Sequence, residues 1–188
     1  REAAAGEGVL FSAARYHLDT GGKRIRALLP PLIAHNLGCR DERLEEALAL
    51  GVALELVHNG TLVHDDLQDG DTARRGMPTV WARYGMQQAV NVGTAMLLLG
   101  LSKVLATRPG AGLIADVNLA ILHIVEGQAL EFELQAGDRP TVARWERMAA
   151  GKTGALFGAC LVAGVAAAGG PNRARDAGAA FGVELGVF

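Results

Sequence analysis

The sequence predicts an all-α protein, a large antiparallel helical bundle. Three observations point there: apolar residues recur at helical spacing along most of the chain, β-branched clusters are few, and Gly and Pro punctuate the pattern. Breaks fall at Gly21-Gly22, Pro30-Pro31, Gly38, residues 70–78, Gly85, Pro109-Gly110, residues 137–140 and residues 169–171. Roughly seven or eight helices fit between them, and no stretch shows convincing strand alternation.

The Gly21-Gly22 pair lets the chain turn before a basic helix start. Pro30-Pro31 can open a helix but would break its interior, so a boundary or kink is expected there. Asn59-Gly60 carries a hairpin signal, yet its flanks continue a helical pattern from Leu44, and a helix is expected to run through it. The most apolar stretch, residues 154–169, is built of Ala, Gly, Val and a few larger residues. It is shorter than the ~20 residues of a membrane span and reads as a buried core helix. Abundant Gly and Ala weaken helix propensity but let helices approach closely, so packing must hold them together.

With 188 residues, half of them hydrophobic, the chain can bury one substantial core, and a single domain over residues 1–188 is expected. A formal net charge of −2 argues against a nucleic-acid partner and leaves anion binding to local clusters of Arg and Lys. Cys39 and Cys160 lie far apart without metal-ligand spacing and read as reduced core residues of a cytoplasmic protein. The chain opens at Arg1 and stops at Phe188 inside an apolar run, so truncation at both ends is expected.

Chemistry concentrates in His58-Asn59-Gly60-Thr61-Leu62-Val63-His64-Asp65-Asp66-Leu67-Gln68-Asp69, followed by Gly70-Asp71-Thr72-Ala73-Arg74-Arg75-Gly76-Met77-Pro78. On a helix, Asp65 and Asp69 lie one above the other, with Asp66 beside them. Carboxylates so placed at the end of an apolar helix repel unless a cation compensates, and hard oxygens at this spacing suit Mg2+. Because Mg2+ is usually held by one or two carboxylates together with substrate phosphates, the pair points to a phosphate ester. Arg74 and Arg75 then offer planar guanidinium groups to phosphate oxygens. The bland alternative is a solvated helix end with a surface ion-pair cluster.

His58 shares the aspartate face about 10 Å along the axis, whereas His64 is rotated by about 100° from Asp65 and reads as a packing residue. Upstream, Gly21-Gly22-Lys23-Arg24-Ile25-Arg26 offers a glycine turn and three cations, with Lys23 and Arg26 expected on one helical face.

Gly-Gly-Lys-Arg, His-Asp-Asp-x-x-Asp, Arg-Arg-Gly-x-Pro-Thr and Lys-Thr appear in that order, and the sequence resembles the trans-polyprenyl (isoprenyl) diphosphate synthase family from about Gly21 to Phe188. The resemblance implies a helical isoprenoid synthase fold and a prenyltransferase joining isopentenyl diphosphate to an allylic diphosphate, using Mg2+ and working as a homodimer. By motif match, Lys23, Arg26, His58 and Arg75 would hold isopentenyl diphosphate, and Arg74, Lys152, Thr153 and Gln128 the allylic diphosphate. Asp65 and Asp69 would ligate the metal, and Asp65, Asp69, Arg74 and Lys152 would carry catalysis. Two positions depart from the family pattern: Glu131 stands where Asp is usual, and Gly93-Thr94 where Gly-Asp is frequent. The family's second aspartate-rich motif would lie beyond Phe188, so the expected domain is incomplete.

Product length should be set by an apolar tunnel below the aspartates, where Gly60 and Thr61 precede Asp65. Family members that stop at about fifteen carbons commonly carry an aromatic ring there, so a product of about twenty carbons or longer is expected, with Met96 and Leu97 as alternative floors. Two other readings stay open: a non-catalytic subunit regulating a partner synthase, and a class I terpene cyclase of similar fold. A cyclase needs one diphosphate site, whereas Lys23, Arg26, His58 and Arg75 suggest a second.

Overall fold

The structure, a computed structural model, describes residues 8–137 and 139–188. Nine α-helices form among the described residues: α1 (Val9–Asp19), α2 (Ile25–Asn36), α3 (Asp41–Gln68), α4 (Val80–Tyr84), α5 (Met86–Leu105), α6 (Gly110–Gln135), α7 (Val142–Ala149), α8 (Ala155–Ala167) and α9 (Asn172–Val187). The all-α expectation holds, with one small exception. A hairpin of two residues per strand, β1 (Ala73–Arg74) and β2 (Met77–Pro78), pairs Arg74 with Met77. Its turn residues Arg75 and Gly76 are both left-handed, at φ 54° and 77°, the conformation tight two-residue hairpin turns require. Strands this short leave no alternation to read.

The chain packs as two compact units, with the division falling inside α3 and α5. The first holds Glu55–Gly100 together with the described residues up to Arg24; the second holds Ile25–Leu54 and Leu101–Phe188. In the first, α1, the C-terminal part of α3, α4 and the start of α5 enclose a core of Ala13, Ala14, Leu56, Val63, Val80, Ala89, Val92 and Met96. Asn59-Gly60 lies inside continuous helix, as its flanks suggested.

In the second unit α8 is apolar all round, buried along nearly its whole length, and packed by α2, α6 and α9. It meets α9 through glycine: a Cβ built on Gly182 would lie 2.2 Å from the Gly158 nitrogen, and one on Gly186 would lie 2.2 Å from the Gly154 Cα. Cys39 and Cys160 are both buried and not joined in a disulfide, in line with the core reading.

Three expectations are corrected. First, α2 runs through Pro30 and Pro31, so the boundary allowed for there does not form. The carbonyls these prolines cannot bond belong to Arg26 and Ala27 in the first turn, and the Ala27 carbonyl lies against Gly51, where a Cβ would come within 2.1 Å of it. Second, α2 begins at Ile25 and Arg24 is left-handed (φ 53°), so Lys23 sits in the preceding loop and shares no helical face with Arg26. Third, α7 and α8 are joined through a wide π-turn, Ala150–Gly154, so the apolar segment exceeds residues 154–169. By length and composition alone, four segments among the described residues are long and apolar enough to cross a membrane: Asp41–Gln68, Met86–Leu105, Gly110–Gln135 and Val142–Ala167. The length argument against a span therefore carries no weight.

Candidate active site

The first unit gathers three acids at the C-terminal end of α3. Asp65 and Asp66 lie in its last turn, and the Asp69 N–H still donates to the Asp65 carbonyl at 2.9 Å, so helical geometry extends to Asp69. Asp65 and Asp69 thus keep one helical turn between them. A helix C-terminus already carries partial negative charge, which makes carboxylates there unfavourable without a cation. Arg74 supplies one from β1: its Nε donates to Asp66 Oδ1 at 2.6 Å and its Nη2 to Asp65 Oδ2 at 3.4 Å.

The acids differ in environment. Asp66 is 1% exposed, and its Oδ2 has no hydrogen-bond partner among the described residues. Burial raises its pKa while Arg74 pulls it down, so Asp66 works as the buried anchor of Arg74. Asp65 is half-buried and Asp69 exposed. This donor set, two hard carboxylates one helical turn apart, fits Mg2+. Gly70, at φ 73°, then turns the chain toward the hairpin.

The hairpin presents Arg75, whose Nη1 donates to the Gly21 carbonyl. Its guanidinium lies over Gly22, where a Cβ would stand 2.9 Å from both terminal nitrogens. With Gly22 at φ 132°, the glycine pair is a seat for Arg75 as well as a turn. Lys23 is exposed and His58 half-buried. His64 packs over Gly93, which has no room for a Cβ (2.3 Å to the ring), and its Nε2 lies 3.1 Å from the Val90 carbonyl oxygen. Gly60 abuts α5, where a Cβ would come 2.8 Å from the Gly93 carbonyl oxygen, so a ring at Gly60 is sterically excluded. Thr61, half-buried, donates to the His58 carbonyl at 2.8 Å.

Sequence reasoning missed a part-buried network centred on Arg24 and Asn59. Arg24 Nη1 lies 3.4 Å from both Glu55 Oε1 and Asn59 Oδ1, its Nη2 donates to the Leu18 carbonyl, and Asn59 Nδ2 donates to the Glu55 carbonyl at 2.7 Å. His17, on α1, is 3% exposed and bonds to Asn59, with its Nε2 unpartnered among the described residues. Burial lowers its pKa from 6.5 to about 4, helped by Arg75, Arg74 and Arg24 and opposed by the Asn59 bond. A depressed folded pKa means stability that is present above pH 6.5 and lost as pH falls through about 4. The loss is at most about 3 kcal/mol. Urea unfolding of His17→Gln against the parent should show a flatter acid limb over that window; parallel curves would refute the assignment.

The second unit holds the other predicted residues. Gln128 is buried on α6, and Glu131 follows three residues on. Lys152 Nζ donates to the Glu131 carboxylate. Lys152 and Thr153 sit in the π-turn, which seats against α6 at glycine: a Cβ on Gly127 would be 2.6 Å from the Lys152 nitrogen. Arg26 stacks over the Phe157 ring at 4.4 Å from its centroid. A cleft of about 650 Å3 also opens between α6 and the π-turn, lined by His123, Glu126, Leu130, Glu133 and Arg147 among others.

The sequence matches the Polyprenyl synthetase family over residues 7–188. The chain belongs to the polyprenyl synthetase family. Its similarity to individual members is broad. It is 37% identical, over 95% of its length and 54% of the relative's, to a geranylgeranyl diphosphate synthase of Mycobacterium tuberculosis. It is also 37% identical, over 88% of its length and 46% of the relative's, to a (2E,6E)-farnesyl diphosphate synthase of Mycobacterium bovis. Its backbone superposes on a polyprenyl synthetase from Streptomyces coelicolor A3(2) with a TM-score of 0.89 at 31% identity, covering 98% of this chain and 57% of that one. This polyprenyl synthetase chain spans about half the length of the curated relatives it matches.

Proposed function

We propose that this protein is a trans-prenyltransferase that condenses isopentenyl diphosphate with an allylic diphosphate into a linear prenyl diphosphate. The observation that carries the reading is the acid and arginine assembly at the end of α3, where Arg74 bridges Asp65 and Asp66 while Asp69 stays exposed. Likeness to geranylgeranyl and farnesyl diphosphate synthases supports it. We further propose a homodimer, as the motif resemblance implies, and a cytoplasmic protein, as its two cysteines without a disulfide framework suggest, with α8 a buried core helix rather than a membrane span.

Mg2+ held by Asp65 and Asp69 would supply positive charge to a diphosphate leaving group. Arg74 and Lys152 stabilise that developing charge, and each ~1.4 kcal/mol of preference for the transition state is worth tenfold in rate. Thr153 and Gln128 orient the allylic diphosphate, while Lys23, Arg26, His58 and Arg75 hold isopentenyl diphosphate; these roles follow the motif match. The allylic carbon–oxygen bond ionises, the isopentenyl double bond attacks the resulting cation, and the released diphosphate takes the proton lost from the condensed product. The regulatory-subunit reading rests on Glu131, which engages Lys152, and on Thr94.

The test is a product assay on the intact protein with labelled isopentenyl diphosphate, separate allylic primers and Mg2+. Labelled prenyl diphosphate of about twenty carbons or longer is expected. No consumption of isopentenyl diphosphate favours the regulatory subunit, and cyclised hydrocarbon without it favours a cyclase. Thr61→Phe should shorten the product by at least one five-carbon unit; unchanged length would move the floor to Met96, which is buried, or Leu97.

A further inference from the structure

We propose that Phe157 is the positioning residue for Arg26, its ring face fixing the guanidinium in the orientation that meets the diphosphate of isopentenyl diphosphate. This rests on the functional reading above. Both residues belong to the second unit. Arg26 lies in the first turn of α2 and Phe157 near the start of α8, with the guanidinium carbon 4.4 Å from the ring centroid.

Two physical points give this contact a purpose. An arginine side chain has several rotatable bonds, and fixing them costs entropy that ligand binding would otherwise supply. A ring across the guanidinium face supplies that order beforehand. Stacking also engages the face of the group, whereas its N–H donors lie in the plane, so ring contact and phosphate hydrogen bonding do not compete.

The helix pair is built to hold the contact. Seven residues further along each helix, Ile33 meets Gly164, where a Cβ would stand 2.7 Å from the Ile33 Cβ and 2.8 Å from the Pro30 carbonyl oxygen. That close approach pins α2 onto α8 just beyond the stack. Pro30 and Pro31 fix the backbone φ of α2 between the two contacts. The Arg26 backbone is thereby held and the ring sets the rest of the side chain. No sequence motif flags Phe157, because its role depends on a neighbour 131 residues away in the chain.

The experiment compares Phe157→Leu, which keeps an apolar filler, with Phe157→Tyr, which keeps the ring, in the intact protein. Steady-state kinetics vary isopentenyl diphosphate and the allylic primer separately. Phe157→Leu should raise KM for isopentenyl diphosphate about tenfold, with kcat and the allylic KM within about twofold of the parent, and Phe157→Tyr should restore the parent value. A ring that only fills the core predicts otherwise: an unchanged KM for isopentenyl diphosphate, equal rises for both substrates, or Tyr as impaired as Leu would each overturn the proposal. If Phe157→Leu does not fold, Arg26→Lys keeps the charge but loses the stacking plane. It should raise the same KM alone, and a rise shared by both substrates would overturn the proposal. A parent protein that consumes no isopentenyl diphosphate sinks the functional reading instead. Calorimetry with inorganic pyrophosphate then decides the pairing: weaker binding in Phe157→Leu but not Phe157→Tyr supports it, and equal binding overturns it.

Discussion

Replacing Asp65 or Asp69 with asparagine is expected to cut prenyl diphosphate formation by roughly a hundredfold to a thousandfold, or about 3–4 kcal/mol of transition-state stabilisation. Each change removes one negative charge while keeping the side-chain shape, so the proposed Mg2+ site weakens, and Asp65→Asn also removes an ionic partner of Arg74. Asp69 is exposed, and its loss should leave folding intact. The control is Asp66→Asn, which sits beneath the same cation but is buried. Its effect should appear first as a loss of stability, because Arg74 loses its 2.6 Å ionic partner. Turnover measured across a Mg2+ titration, alongside thermal melts, separates the two. Activity of Asp69→Asn within about threefold of the parent at all Mg2+ concentrations would remove the metal assignment.

Gly182→Ala should destabilise the fold by about 3 kcal/mol. The added Cβ would stand 2.2 Å from the Gly158 nitrogen and 2.3 Å from its Cα, both backbone atoms that cannot rotate away. To relieve the clash α8 and α9 must separate, and α8 is the buried helix of its unit. Gly112→Ala is the comparison: it is helical, and a Cβ there meets nothing within 4 Å. It should stabilise by about 0.5–1 kcal/mol, because alanine loses less backbone entropy than glycine. Urea unfolding of both variants gives the answer, and equal effects would mean that the α8–α9 contact is looser than its geometry indicates.

Much of this was legible in advance, for reasons that differ by element. Gly21, Gly38, Gly70, Gly137 and Gly169 all adopt positive φ at helix ends, so punctuation by glycine marked the breaks correctly. Asp65, Asp66 and Asp69 declared themselves because clustered carboxylates on an apolar helix are costly whatever the fold. Pro30-Pro31 misled because the rule weighs the hydrogen bonds lost, and here those fall in the first turn of α2 against a glycine on α3. Lys23 misled because a left-handed Arg24 delays the helix start, and nothing in the identity of an arginine announces that conformation. The distinction between Asp66 and its two neighbours needed burial, which periodicity in a mostly apolar helix cannot assign. The network of His17, Asn59, Arg24 and Glu55 joins two distant stretches of chain, and no local pattern reports such a meeting.

The wide turn at Ala150–Gly154 has a consequence for how this chain tolerates change. Inserting one residue into a helix rotates everything after it by about 100° relative to what came before. Residues on either side of the turn are therefore out of phase with a single regular helix through residues 142–167, and α8, buried on nearly every side, shows no apolar stripe that would reveal the shift. Deleting a single residue from this turn would restore ordinary helical winding, leave every side chain in the deletion product chemically familiar, and still swing Lys152 off the bearing that brings it to Glu131.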